Sequence, residues 1–176
     1  LDRRTRKTQI AIRTALITQL KTRPLTKIRV ATIIDQADIS RSTFYLHYDD
    51  IYDCYNHMVA EAIDGLLAAL TKTYPADSTA SFEDLATASI HYVVTHRDLF
   101  SLITQSNNPR PLTQLKAQLV TKVLTFEHLS RENPQDYYDV VCSVNGVIGV
   151  LTEWLDRGNI SQAELIVIVT NIISRI

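Results

Sequence analysis

The stretch Val30-Ala31-Thr32-Ile33-Ile34-Asp35-Gln36-Ala37-Asp38-Ile39-Ser40-Arg41-Ser42-Thr43-Phe44-Tyr45-Leu46-His47-Tyr48 carries a helix, a tight joint and a second helix. Val30, Ile33 and Ile34 give the first helix an inward face. It ends at Ala37, small enough to let another helix cross closely. Asp38 falls at the turn, where a left-handed backbone is expected; glycine suits that conformation best, and aspartate tolerates it. Ser40 is a good N-cap for the next helix. Ile39 before the cap and Phe44 four residues after it make a hydrophobic staple, which fixes how the chain enters that helix. The combination predicts a helix-turn-helix, a motif that sets the start of its second helix against base edges in the DNA major groove.

The residues expected to point outward from the second helix are Arg41, Ser42, Thr43, Tyr45 and His47. An arginine can bond a guanine edge with two donors. Hydroxyls and an imidazole suit phosphate oxygens. Lys27 and Arg29 stand near the start of the first helix, where the helix dipole also favours phosphate. Arg3, Arg4, Arg6 and Lys7 form a basic arm that adds sequence-blind attraction or reaches a minor groove. The bland alternative is a plain helical hairpin with solvated charges.

Charge supports the sharper reading. Residues 1–48 hold ten Lys and Arg against three acidic residues, a net of +7, whereas residues 49–176 hold eight against sixteen, a net of −8. The overall charge of −1 therefore conceals a basic head suited to a polyanion and an acidic body that is not.

Outward from this motif the chain reads as helix almost throughout. The expected helices are about 4–21, 29–37, 41–48, 51–73, 82–95, 98–105, 112–129, 135–156 and one capped by Ser161, with Glu164 completing a capping box. Ile10, Ala11, Ala15, Leu16, Ile17 and Leu20 make the apolar stripe of the first. Asp49 and Asp50 can cap the fourth. Residues 76–81 form a small polar connection and 107–111 a loop. Gly158 is the expected terminator of the eighth helix. The fold class is thus all-α: a three-helix DNA-binding domain over residues 1–49, then a helical bundle over 50–176, about nine helices in all. Only nine residues are Gly or Pro, too few for a turn-dense β fold.

The segment Ala37-Asp-Ile-Ser-Arg-Ser-Thr-Phe-Tyr-Leu-His-Tyr48 resembles the signature of TetR/AcrR transcriptional regulators, alanine-glycine-valine-serine-x-x-threonine-φ-tyrosine-x-histidine-phenylalanine. The match spans about residues 5–55. It implies a small DNA-binding domain followed by a larger ligand-binding and dimerisation domain. On this resemblance Arg41 falls on a base-reading position, Thr43, Tyr45 and His47 on phosphate- or base-touching positions, and Tyr48 on a core aromatic one. The sequence departs from the pattern at Asp38, where glycine is usual, and at Ile51, where many members carry a phosphate-contacting lysine. Asn145 to Gly158 also resembles the last two helices of one subgroup. The implied function is a bacterial, ligand-responsive regulator, most often a repressor. It would bind a palindromic operator as a homodimer and be released or altered by a small molecule held among helices four to eight. Inward residues such as Tyr55, Met58, Leu99, Phe100, Leu124, Val147 and Trp154 are pocket candidates, although residues of these types are more often plain core.

Helices eight and nine carry more apolar residues than one stripe needs, which points to a deep core or a subunit interface. Val144, Val147, Ile148, Leu151, Leu165, Val169 and Ile172 are the expected homodimer contacts. No catalytic motif, dinucleotide fingerprint or phosphate-binding glycine loop is present, so an enzyme is not expected. No cofactor is expected, and no metal: His57 and Glu61 read as a surface pair. Cys54 and Cys142 lack metal-type spacing and read as buried structural thiols. No apolar run is long enough for a membrane span, and the charged start, Leu1 rather than Met, shows no secretory segment. The expected location is cytoplasmic. The alternative function, prompted by Asp38, Ile51 and the acidic Asp49-Asp50 pair, is a co-regulator that binds a partner protein rather than DNA.

Overall fold

The capping chemistry read above sets most of the helix ends. In the computed structural model, which describes residues 3–74, 81–105 and 109–175, the described residues form nine α-helices, one short 3-10 turn and no strand. The helices are α1 (Arg3–Leu20), α2 (Val30–Ala37), α3 (Arg41–Tyr45), α4 (Ile51–Thr73), α5 (Phe82–Thr95), α6 (Arg97–Gln105), α7 (Arg110–Phe126), α8 (Pro134–Arg157) and α9 (Gln162–Ile173). The chain divides into two compact units, Leu1–Glu61 and Ala62–Ile176, and the division falls inside α4. The expected connection 76–81 lies outside the described residues except for Ser81, and of the expected loop 107–111 the described part is Pro109, the N-cap of α7, and Arg110 and Pro111, which are already helical.

In the first unit α1 packs on α2 and α2 on α3. Its core is Ile12, Ala15 and Leu16 from α1, Ile33 from α2, Phe44 from α3, and Cys54, Tyr55 and Met58 from α4. The expected α1 stripe had mixed two faces. Ile10 is 52% exposed, while Ile12, which shares a face with Ala15 and Leu16 by the three- and four-residue rule, is fully buried. The basic arm Arg3, Arg4, Arg6 and Lys7 forms the first turns of α1, as the expected helix over 4–21 implies. Leu25–Lys27 forms the unexpected 3-10 turn. Across this unit Arg13 donates to Glu61 at 2.5 Å, tying α1 to α4.

In the second unit α5 packs on α9, and α8 packs on α6, α7 and α9. Ser81 and Asp84 form a capping box at the start of α5 that the sequence reading missed, and Ser161 and Glu164 form the expected one at α9. α7 begins earlier than expected, at Arg110, because Pro111 is tolerated in a first turn whose N–H groups have no helical partner. It also ends earlier. His128 adopts a left-handed φ of 55° and the Leu129 amide donates back to the Leu124 carbonyl at 2.9 Å. Gly158, at φ 58°, terminates α8 as anticipated. From the start of α6 the Arg97 guanidinium donates to the Leu155 carbonyl at 3.1 Å and lies 4.7 Å over the Trp154 ring, satisfying the open end of α8.

Candidate nucleic-acid interface

Two joints fix α3. At the first, Asp38 takes φ 52°, ψ 52°, and the Ile39 amide donates to the Ile34 carbonyl at 3.1 Å, closing α2. At the second, the Ser40 hydroxyl accepts the Thr43 amide at 3.1 Å and lies 2.9 Å from the Ser42 hydroxyl and 2.7 Å from that of Thr43. Phe44 is fully buried and stacks edge-on against Tyr45. Tyr48 is buried, and burial raises its hydroxyl pKa.

What this scaffold holds outward is short. Arg41, Ser42 and Tyr45 are exposed, whereas Thr43 and His47 are half-buried. α3 stops at Tyr45, not Tyr48, because the His47 amide turns back to the Phe44 carbonyl three residues before it. His47 thus leaves the regular helix and sits in the turn after it. Arg41 lies 5.6 Å over the Tyr45 ring, with a long 3.5 Å approach to its hydroxyl, so the two form one exposed cationic and aromatic tip. Lys27, in the 3-10 turn, and Arg29, the N-cap residue of α2, are exposed in the same unit.

The start of α4 differs from the pattern that the sequence resembles. Ile51 is buried, and Asp50 accepts the Asp53 amide at 2.7 Å while Asp53 accepts the Asp49 amide at 3.0 Å. The acidic residues there cap a helix. Downstream, His57 pairs with Asp53 at 3.5 Å and Glu61 with Arg13, so His57 and Glu61 each face a different partner. Among the described residues no three His, Cys, Asp or Glu gather as a metal cluster. Cys54 is buried, and desolvation pushes its thiol pKa up to about 12. Cys142 is exposed, against expectation, because it lies on the outer side of α8.

The second unit holds an apolar cavity of about 110 Å³ that is partly open to the surface. Each of its six helices lends side chains, among them Leu66, Val93, Phe100, Leu119, Val147 and Val169. Of the seven pocket candidates in the sequence, Phe100 and Val147 line it; the others do not. Sequence reasoning missed most of the lining because aliphatic residues on a helix look alike whether they meet a neighbour or a gap.

The expected dimer contacts separate into two groups. Val144, Ile148, Leu165 and Val169 are buried by the chain's own helices, Leu165 completely. Val147, Leu151 and Ile172 are half-buried, and the first two line the cavity. The large apolar side chains that α8 and α9 present outward are instead Tyr138, Val167 and Ile168. An apolar count cannot separate these groups, since a helix apolar on all sides does not reveal which side its own chain covers.

No protein-family model and no curated protein matches the chain. Solved structures do. A TetR transcriptional regulator from Streptococcus agalactiae 2603V is 21% identical, over 98% of this chain and 96% of that one, with a TM-score of 0.66. A TetR-like transcriptional regulator from Rhodococcus sp. RHA1 is 15% identical, over 99% and 97%, with a TM-score of 0.71. The dihydroxyacetone kinase operon activator DhaS is 14% identical, over 96% of each chain, with a TM-score of 0.63. Among the described residues no helix is long and apolar enough to cross a membrane. The exposed, capped α3 and the nine-helix order thus come together in one architecture: the chain has the all-α fold of the TetR-family transcriptional regulators.

Proposed function

We propose that this protein is a TetR-like transcription regulator. Residues 1–49 bind a duplex operator and residues 50–176 dimerise and respond to a small molecule. The observation that carries the reading is the outward set of Arg41, Ser42 and Tyr45 on a helix pinned by Ser40 and Phe44. A second feature supports it. α1 has no acidic residue in its first turn and instead begins with Arg3, Arg4, Arg6 and Lys7. Cations at that end oppose the helix dipole, and a DNA phosphate would offset the cost.

Arg41 reads a base edge, with Ser42, Thr43, Tyr45, His47, Lys27 and Arg29 on phosphate or neighbouring bases. Two copies place their α3 helices in half-sites roughly 34–36 Å apart on a palindromic site. The copies meet through the outer sides of α8 and α9, with Val167 and Ile168 as contacts in place of the enclosed Leu165 and Val169. Ile168→Arg is then expected to shift the protein toward monomer in light scattering, and a persistent full dimer overturns that placement. Binding blocks transcription, and an effector that prefers a different half-site spacing releases it.

The test is anisotropy of labelled DNA taken from beside the protein's own gene, across a salt series. Specific binding whose log affinity falls steeply with log salt supports the proposal, and no binding at low salt overturns it. The alternative, a co-regulator that binds a partner protein, is favoured by one observation: Ile51 is buried where a basic contact would otherwise stand. One structural neighbour is named an operon activator, so a reporter assay of the bound promoter decides the direction of control.

A further inference from the structure

The cavity in the second unit carries information about its occupant. Its volume is about 110 Å³, near the scale of an engineered apolar cavity of about 150 Å³ that accepts benzene in another protein. Among the described residues, no charged one is in its lining. The lining residues that carry a hydroxyl are Ser89, Thr104, Ser143 and Tyr74, and each hydroxyl already has a partner within the unit. Ser89 donates to the Leu85 carbonyl at 2.6 Å, Thr104 to that of Phe100 at 3.0 Å, and Ser143 to that of Ile172 at 3.3 Å. The Tyr74 hydroxyl donates to the Glu127 carboxylate.

A carboxylate or phosphate entering this space would leave its water and meet no cation, and the nearest charge behind the wall at Tyr74 has its own sign. An ammonium would leave water for a carboxylate already bonded to a phenol. An uncharged hydrocarbon or arene has no such cost and gains contact with the aliphatic and aromatic carbon of the lining.

We infer that the cavity binds an uncharged, apolar small molecule, of single-ring or short-alkyl size, and discriminates against ions of the same shape. This rests on the reading of the second unit as the effector-binding part, and it specifies the effector's chemical class.

The test uses three probes of matched shape on the full chain without DNA: toluene, benzoate and benzylammonium. Toluene is expected to bind, seen as a rise in melting temperature and as shifts of the Val147 and Leu119 methyl resonances. Benzoate and benzylammonium are expected to bind at least about a hundredfold more weakly, as ions stripped of water without a partner should. Two filling variants, Val123→Phe and Ala86→Leu, guard against a misfolded control. Either one, if folded by circular dichroism, is expected to abolish the toluene effect. Tight binding of benzoate or benzylammonium, no binding of toluene, or toluene binding undiminished in a folded filled variant overturns the inference. Repeating the DNA titration with toluene present separates the two readings. Toluene that binds and leaves operator affinity unchanged removes the effector role and keeps the ligand class. Operator release by an ion alone does the reverse.

Discussion

The segment from α2 to α3 and the bundle from α5 to α9 answer opposite demands. In the first, each joint is a named interaction: a left-handed Asp38, a Ser40 cap, a fully buried Phe44. Little is left to relax, and a short stretch of chain holds a few side chains in fixed directions. The second is made of longer helices whose apolar faces enclose a gap. Protein interiors are ordinarily close-packed, so a cavity lined by six helices marks slack that a tight core would have removed. Reading a duplex requires register; accommodating a guest requires room. One chain places the first near its start and the second after it.

Core truncation breaks this comparison most directly. Phe44→Ala is expected to cost about 3–5 kcal/mol in urea unfolding, because it removes a fully buried ring and leaves a cavity in a packed core. Leu119→Ala, at a half-buried position beside an existing gap, is expected to cost only about 1–2 kcal/mol. Equal losses would refute the contrast between a tight and a slack unit.

Arg41→Ala comes next, with a loss of about 1–3 kcal/mol in specific operator binding and relaxed sequence preference at one position. Its exposed side chain leaves the melting temperature unchanged. A uniform loss across all sequences would make Arg41 a phosphate contact instead.

Ser40→Ala removes the acceptor for the Thr43 amide and is expected to destabilise the protein by about 1 kcal/mol. Operator affinity should fall with it, whereas the cavity should retain its affinity for toluene.

The smallest effect concerns pH. The Ser161 backbone amide and hydroxyl hold the Glu164 carboxyl below its ordinary value of 4.5. A depressed folded-state pKa means the stabilisation is present above the unfolded value and is lost as pH falls through the folded one. The α9 amides are therefore expected to exchange faster in mild acid, and Glu164→Gln should remove that pH dependence.

Much of the first unit was legible because its information is local. Asp38, Ser40, Ile39 and Phe44 are neighbours in sequence, and each has a conformational preference of its own. The same holds for Gly158 and for the Ser161–Glu164 box. The missed 3-10 turn at Leu25–Lys27 and the early end of α3 rest on a few backbone bonds that no side chain announces. The second unit was legible as helices but not as a site. Whether Leu165 or Ile168 faces outward depends on which distant helix covers it, and the cavity exists only as a mismatch between side chains far apart in sequence. The exposure of Cys142 escaped notice for the same reason.

Trp154 is the chain's single tryptophan, buried near the end of α8, with its indole N–H donated to the Ile160 carbonyl at 3.0 Å and the Arg97 guanidinium over its face. Its emission therefore comes from one place and carries the imprint of one fixed cation. Since the next residue, Leu155, lines the cavity, the protein contains its own optical gauge of what happens there, without an attached dye.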